Sequence, residues 1–519
     1  MTTMIGTKTE NKQWLDTLKA WWHPRVITML FLGFSAGIPI LLIFGTLSAW
    51  LTEAGVKKSA VTFFSWAALG YSFKFVWAPL IDRLPLPLLT RMLGRRRAWL
   101  VISQLSVMGA IFWMAMIDPA QSHAQLTAMA LAAVALGFSS ATQDIVIDAY
   151  RIECVEEEYQ AMLSATYIAG YRIAMLVASA GAFYLADFFG TSSELYQYQA
   201  WQITYGIVGC CMIIGVITTL VIPEPDRKDL PERINYSAVE YGRFFLLFLC
   251  VAFTFGITFF YSGALTADLK GFLKQTIPLS GRIIGFLAEC LRLFVSLGVA
   301  YSVAQIMVRL GLVDRAMLDD TYLEPVKDFF KRYGMKTAVL ILLLVGFYRV
   351  SDIVLGVIST VFYLDLGFTK SEIATVAKVY GLLMTIAGGF LGGMLSVRYG
   401  VLRILMAGAL LSAATNLLFV LLANVGPDLL LLKIVVGIDN LAAGLASAAF
   451  VAFLSSLTSI SFTAVQYAVF SSLMTLFPKL FGGYSGTIVE GIGYGPFFTM
   501  TAIIGIPVIY LIWVLRKLE

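Results

Sequence analysis

The sequence predicts an all-α polytopic membrane protein, and three observations carry that reading. Of its 519 residues, 59% are apolar and 13% charged, about half the charged share of a soluble domain. Mean hydropathy is +0.83. The apolar runs are continuous rather than alternating, which selects a helix bundle over a β-barrel.

A membrane-crossing helix needs roughly 17–25 mostly apolar residues, and fourteen stretches meet that length. The first six are Val26–Trp50, Ser59–Ile81, Ala98–Ile117, Leu126–Ala149, Ala161–Ala186 and Trp201–Ile222. Phe244–Leu265 and Ile283–Val308 follow. The last six are Thr337–Tyr363, Ser371–Val397, Leu402–Ala423, Leu429–Ser455, Thr463–Gly482 and Phe497–Leu515. Most of the 37 Lys and Arg lie at Lys8–Arg25, Arg83–Arg97, Arg151, Arg227–Arg243, Arg309–Lys336, Arg398–Arg403 and Arg516–Lys517. Counting spans puts all of these on the side of both termini, which the positive-inside rule makes the cytoplasm. The formal charge of +5 is therefore a matter of topology and does not point to nucleic acid.

Residues 1–25 read as a polar segment without a signal peptide. Trp14, Leu15, Leu18, Trp21 and Trp22 form the apolar face of a short interfacial helix, which His23-Pro24 ends. A weak repeat relates two six-helix halves, 26–222 and 337–519. Gly55-Val56-Lys57-Lys58-Ser59-Ala60-Val61 and Gly367-Phe368-Thr369-Lys370-Ser371-Glu372-Ile373 each precede a span that ends in a basic turn. Ser140–Ala149 and Gly444–Phe453 form a second matched pair. Between the halves, 223–336 holds cytoplasmic linkers around an inserted hairpin at 244–308. Val326, Phe329, Phe330 and Tyr333 give Gly311–Lys336 one apolar side, as expected of a helix lying on the inner surface.

Chemistry concentrates in Ser140–Arg151. Asp144 and Asp148 are four residues apart, hence on one helix face. A charge at membrane depth costs roughly 2.5–3.5 kcal/mol even on the lenient insertion scale, so a chain that keeps two is using them. His23 and His123, the two histidines, lie outside the spans, which leaves a carboxylate as any intramembrane proton carrier. Cys154, Cys210, Cys211, Cys250 and Cys290 have no metal-site spacing and read as small buried hydrophobes. No metal or cofactor is expected. The absence of a phosphate-binding Gly-rich loop argues against ATP drive, and the absence of a His or Cys cluster argues against an enzyme.

Several blocks together are similar to the AmpG family of muropeptide permeases, in the major facilitator superfamily. They are Gly33-Phe34-Ser35-Ala36-Gly37-Ile38-Pro39, Gly45–Trp50, Phe73-Lys74-Phe75-Val76-Trp77-Ala78-Pro79-Leu80-Ile81-Asp82-Arg83, Gly94-Arg95-Arg96-Arg97, Gln143–Tyr150, Gly170-Tyr171-Arg172 and Phe462–Ala468. They cover both halves, leaving out the hairpin and the N-terminal segment. The resemblance implies a major facilitator fold with fourteen membrane helices. It also implies proton-coupled import of GlcNAc-anhydroMurNAc-peptides from periplasm to cytoplasm, for peptidoglycan recycling, with a link to β-lactamase induction. A monomer in the bacterial inner membrane is expected, with anhydromuropeptide, protons and the lipid bilayer as its partners.

Six cations fall within spans: Lys74, Arg172, Arg292, Arg349, Lys378 and Lys479. A muropeptide needs cations for its carboxylates and amides or hydroxyls for its sugars. In this fold the first, fourth, seventh and tenth core helices line the cavity. They carry Ser35 and Thr46, Gln143 and Asp144, Arg349 and Asp352, and Asp439 and Asn440. The expected substrate site is Lys74, Gln143, Arg172, Arg349, Lys378, Asp439, Asn440 and Gln466. The expected proton site is Asp144, Asp148 or Asp352, and the expected cytoplasmic gate is Asp82, Arg83, Arg95, Arg96 and Arg97. Plainer roles stand beside these. Arg349 and Asp352 are spaced to pair with each other, and Lys74, Asp144 and Arg172 to form a structural ion cluster. Asp148 is placed to hold the inner gate, and Arg292 to pair with Glu289. A different solute on the same fold, such as an acetyl-coenzyme A-like anion, is the alternative cargo.

Overall fold

The computed structural model describes residues 21–56, 71, 73–156, 159–192, 195–225, 237–276, 281–482 and 485–518. The interfacial helix expected before residue 21 and most of the second span, Ser59–Ile81, lie outside the described residues. Among those described, thirteen helices are long and apolar enough to cross a membrane, and there is no strand.

The first half holds α1 (Pro24–Glu53), the short α2 (Ala78–Arg83) and α3 (Leu89–Leu93), then α4 (Arg95–Ala115), α5 (His123–Glu153), α6 (Gln160–Phe188) and α7 (Tyr198–Val221). Pro79 lacks the N–H that would continue a helix through Phe75, and the chain enters α2 through a 3₁₀ turn at Lys74–Val76. Gly94 takes φ 89°, a left-handed conformation that turns the chain from α3 into α4. A buried cluster of Trp50, Leu136, Trp201 and Tyr205 binds α1, α5 and α7.

The second half holds α11 (Val350–Asp365), α12 (Ala374–Tyr399), α13 (Val401–Val425), α14 (Leu429–Ser456), α15 (Thr463–Gly482), α16 (Ser485–Ile492) and α17 (Tyr494–Leu518). α10 (Glu324–Phe347) leads into it. The ninth expected span, Thr337–Tyr363, is two helices: α10 ends at Phe347 and α11 begins at Val350, with Arg349 at the break. α10 is itself interrupted at Gly334, where φ 72° and ψ 157° leave the helical region. Phe329 is buried against Phe470 of α15, at 5.2 Å between ring centres.

The halves meet mainly through α6 against α12 and α14, and through α15 against α5 and α2. In lipid, helices associate by close packing rather than by hydrophobic expulsion. A Cβ on Gly170 would stand 1.9 Å from the carbonyl oxygen of Leu30, and one on Gly444 2.1 Å from that of Thr385. Backbones touch at these points.

Pro231–Asp328 forms a second compact unit. Its long helices α8 (Ala238–Thr276) and α9 (Gly281–Arg309) pack against each other. The Arg292 Nε donates to the Phe259 carbonyl at 2.8 Å, and the guanidinium lies 4.0 Å from the Phe259 ring. The side chain of Glu289, its expected partner, lies outside the described residues. Phe253, Phe260, Phe294 and Tyr301 are exposed along the two helices, as suits contact with lipid.

Gly170→Val is expected to force α1 and α6 apart at a cost of about 1–3 kcal/mol or more. The detergent-solubilised protein should lose its monodisperse elution peak. Gly109→Ala, which meets open space, should elute unchanged.

Candidate functional site

Three polar clusters lie along the main body. The first seals the end that carries the basic turns. Arg96, wholly buried at the start of α4, donates from Nη2 to Asp82 Oδ1 at 2.7 Å and to Glu153 Oε1 at 2.5 Å. Its Nε reaches Glu153 Oε2 at 3.0 Å. The same Nη2 contacts Thr463 Oγ1 of the other half at 2.7 Å, and the Thr463 hydroxyl donates to Glu153. Asp82 Oδ2 accepts from the Val465 N–H at 3.1 Å. That N–H belongs to the first turn of α15, where backbone donors lack helical partners and the helix dipole favours an anion. Arg95 donates to the Asp82 carbonyl. The N–H groups of Arg96 and Arg97 reach the Glu224 carboxylate at 2.8 and 3.1 Å, and the Arg97 guanidinium holds the Thr219 and Leu220 carbonyls at 3.0 and 2.6 Å. Burial nevertheless raises the Glu224 carboxyl above its ordinary range. Arg83 is half-buried at the end of α2. Asp82, Arg95, Arg96 and Arg97 of the expected gate thus meet in one knot with Glu153, Glu224 and Thr463.

The second cluster lies deeper in the first half. Lys74 Nζ stands 3.6 Å from Asp148 Oδ2, and Arg151 Nη2 3.3 Å from Asp148 Oδ1. Asp144 accepts from the Tyr167 hydroxyl at 3.5 Å. Gln143 Nε2 donates to Ser35 Oγ at 2.8 Å, and Thr46 donates to the Ala178 carbonyl at 2.6 Å. These two contacts fasten α1 to α5 and α6. Trp77 Nε1 donates to Thr142 Oγ1 at 3.1 Å, fixing the entry to α2 against α5.

The third is a cavity of about 420 Å³ lined by Arg172 of α6 and by residues of the second half. The second-half polar lining is Arg349, Asp352, Ser359, Thr360, Tyr363, Lys378, Asn416, Asp439 and Asn440. Arg349 faces Asp352 at 3.9 Å and donates to Ser447 Oγ at 2.5 Å. Ser412 donates to Asp352. Thr415 donates to Asp439 at 3.0 Å, Thr385 to Asn440 at 2.9 Å, and Asn416 to Ser351 at 2.8 Å. Lys378 is exposed, with Thr360 at 3.5 Å. Thr360 and Tyr363 belong to the last turns of α11, and Lys378 to the start of α12. The cavity therefore reaches toward the end opposite the seal.

Of the expected substrate residues, Arg172, Arg349, Lys378, Asp439 and Asn440 share this cavity, together with Asp352. Lys74 is paired with Asp148 instead, and Gln143 with Ser35. Gln466 lies at the sealed end, accepting from Arg332 at 2.9 Å and from the Ser459 N–H at 2.7 Å. Arg172 lies with the cavity, apart from the Lys74–Asp148 pair. Asn416, on the ninth core helix, is a lining residue that the four-helix expectation passes over. Its signal is an amide in the middle of the apolar run of α13.

Residues 27–317 match the family model of the Major Facilitator Superfamily. The solved proton:xylose symporter XylE, bound to 6-bromo-6-deoxy-D-glucose, shares the fold at a TM-score of 0.56 and 11% identity, covering 97% of this chain and 96% of its own. The human organic anion transporter MFSD10 does so at 0.51 and 14%, covering 94% and 99%. Fold and family model together define a transporter of the major facilitator superfamily. The putative transporter AmpG 4 of Rickettsia felis is 30% identical over 493 residues, 95% of this chain and 97% of its own. The anhydromuropeptide permease of Escherichia coli K12 is 29% identical over 502 residues, 96% and 81% of the two chains. Within the superfamily, the chain belongs to the AmpG family.

Arg96→Ala takes from the buried carboxylates of Asp82 and Glu153 the nearer of the two cations they share, leaving Arg95 at 3.9 Å from each. Breaking a buried pair costs about 3–5 kcal/mol, so the thermal unfolding midpoint of the solubilised protein should fall by several degrees. Met92→Ala, at an exposed side chain of the same end, should leave it nearly unchanged. Equal midpoints for the two variants would remove Arg96 from this role.

Proposed function

We propose that this protein imports anhydromuropeptides, GlcNAc-anhydroMurNAc-peptides, across the bacterial inner membrane for peptidoglycan recycling, driven by proton symport. The observation that carries this reading is the mixed lining of the 420 Å³ cavity. Arg172, Arg349 and Lys378 suit the carboxylates of a peptide stem. Asn416, Asn440, Thr360 and Tyr363 suit sugar hydroxyls and amides. The name of the Escherichia coli relative supports the same cargo. The sealed end carries the basic turns and faces the cytoplasm under the positive-inside rule. The arrangement is then that of a carrier shut toward the cytoplasm and open toward the periplasm. By family resemblance, recycled muropeptide also links the protein to β-lactamase induction. In this reading the inserted hairpin 244–308 takes no part in transport, because it has no counterpart in the two-half repeat.

Asp144, Asp148 and Asp352 are the candidate proton carriers, with Asp144 the first choice. One charge crossing 100 mV is worth about 2.3 kcal/mol, which supports roughly 50-fold accumulation per proton. Labelled anhydromuropeptide should accumulate in energised vesicles and equilibrate once a protonophore is added. Accumulation that survives the protonophore would exclude symport. Asp144→Asn keeps size and hydrogen bonding but cannot ionise, so it should lose accumulation and keep counterflow exchange. If it still concentrates substrate, the proton site is elsewhere.

Arg172→Gln and Lys378→Gln should each raise the KM for uptake by roughly tenfold, the effect of one charge-assisted hydrogen bond. Lys74→Gln should act on turnover more than on KM. A KM unchanged in both cavity variants would place the substrate elsewhere.

A further inference from the structure

In the sequence, Arg151 looks like one more positive charge at the end of a helix. In the structure it is wholly buried and spans the two halves. Its Nη1 donates to Ser164 Oγ of α6 at 2.9 Å and to Ser455 Oγ of α14, in the second half, also at 2.9 Å. Its guanidinium carbon lies 5.1 Å from the ring centre of Tyr467 on α15. Its Nη2 is held by Asp148 at 3.3 Å, and Asp148 also holds Lys74 at 3.6 Å. One carboxylate thus serves two buried cations.

We propose that Arg151 is the latch that holds the halves together between the cavity and the Arg96 seal, and that the charge on Asp144 decides whether the latch holds. Lys74, Arg151, Asp148 and Asp144 are all at least nine-tenths buried. Asp144 lies one turn from Asp148 and within electrostatic reach of Lys74. Tyr71, Tyr167, Tyr171 and Tyr467 also lie within electrostatic reach of these carboxylates, and the Tyr167 hydroxyl donates to Asp144. With both carboxylates ionised the four charges cancel. A proton on Asp144 leaves one net positive charge in a medium that screens poorly, with Lys74 and Arg151 competing for Asp148 alone. A buried charge without compensation is unstable. Separation of the halves at the sealed end relieves it by bringing water to Arg151. The direction fits the symport reading, on which this part of the inference rests. A proton loaded from the cavity side opens the opposite side.

Spin labels at Met92 and Tyr399, exposed at the sealed end of opposite halves, read the separation in the full chain with its native cysteines replaced by alanine. Double electron–electron resonance should show the short distance dominating in the parent. Arg151→Ala should raise the ratio of long to short distances by roughly tenfold. Ser455→Ala removes only the partner across the interface and should raise it by roughly threefold. Asp144→Asn, the analogue of the protonated state, should act like Arg151→Ala. Adding Lys74→Gln to Asp144→Asn restores neutrality and should return the ratio toward the parent, which a purely structural role would not do. Unchanged distances in both Arg151→Ala and Ser455→Ala overturn the latch. A response to these with none to Asp144→Asn, or no reversal by Lys74→Gln, overturns the control by charge. Failure of the symport reading shows separately, as uptake by the parent that ignores a protonophore, and leaves the distance results standing.

Discussion

The fold depends on a buried arginine at a helix start. Arg96 gathers Asp82, Glu153 and Thr463, so three elements of one half and the first turn of α15 are fixed by one side chain. Pairing in the interior gains most when the remaining donors and acceptors are also satisfied. Here the Val465 N–H takes the second oxygen of Asp82 and Thr463 donates to Glu153, while Arg96 Nη1 meets no hydrogen-bond acceptor among the described residues. Glu224 then ties the chain that follows α7 to the start of α4. Of these contacts, only those to Thr463 and Val465 cross between the halves; they are polar and can be exchanged for water while the Arg96 pairing with Asp82 and Glu153 stays inside the first half.

The two halves contribute unequally to the cavity. The first half supplies Arg172, and the second supplies the rest of the polar lining. Lys74, Asp144 and Arg151 of the first half cluster around Asp148, apart from the cavity lining. The cavity and this charge cluster therefore draw on different residues, although both belong to one body.

Much of this was legible in the sequence. Span length and continuous apolarity marked the thirteen helices that, among the described residues, are long and apolar enough to cross a membrane, because a lipid-facing helix must be apolar. The five cavity residues Arg172, Arg349, Lys378, Asp439 and Asn440 stood out because polar groups are rare at membrane depth. Four things were not legible. Lys74 and Gln143 have the same composition signal as cavity residues, and only helix rotation decides that they face neighbours. Gln466 lies in a conspicuous block, yet it bonds Ser459 and Arg332 at the sealed end. Arg151 and Glu153 look like ordinary charges at a helix end, since burial by a partner 300 residues away in the chain leaves no local trace. The break at Tyr348-Arg349 has no proline to announce it.

That break has a mechanical consequence. A continuous helix transmits a tilt along its whole length, whereas one interrupted by a two-residue turn behaves as a jointed rod. α11 carries Asp352, Thr360 and Tyr363 over the cavity, and α10 runs on toward the sealed end. On the import reading proposed above, the joint would let α11 swing inward over a bound solute while α10 stays in place. The carrier can then pass through a state shut at both faces, in which cargo is cut off from either solution before the other side opens.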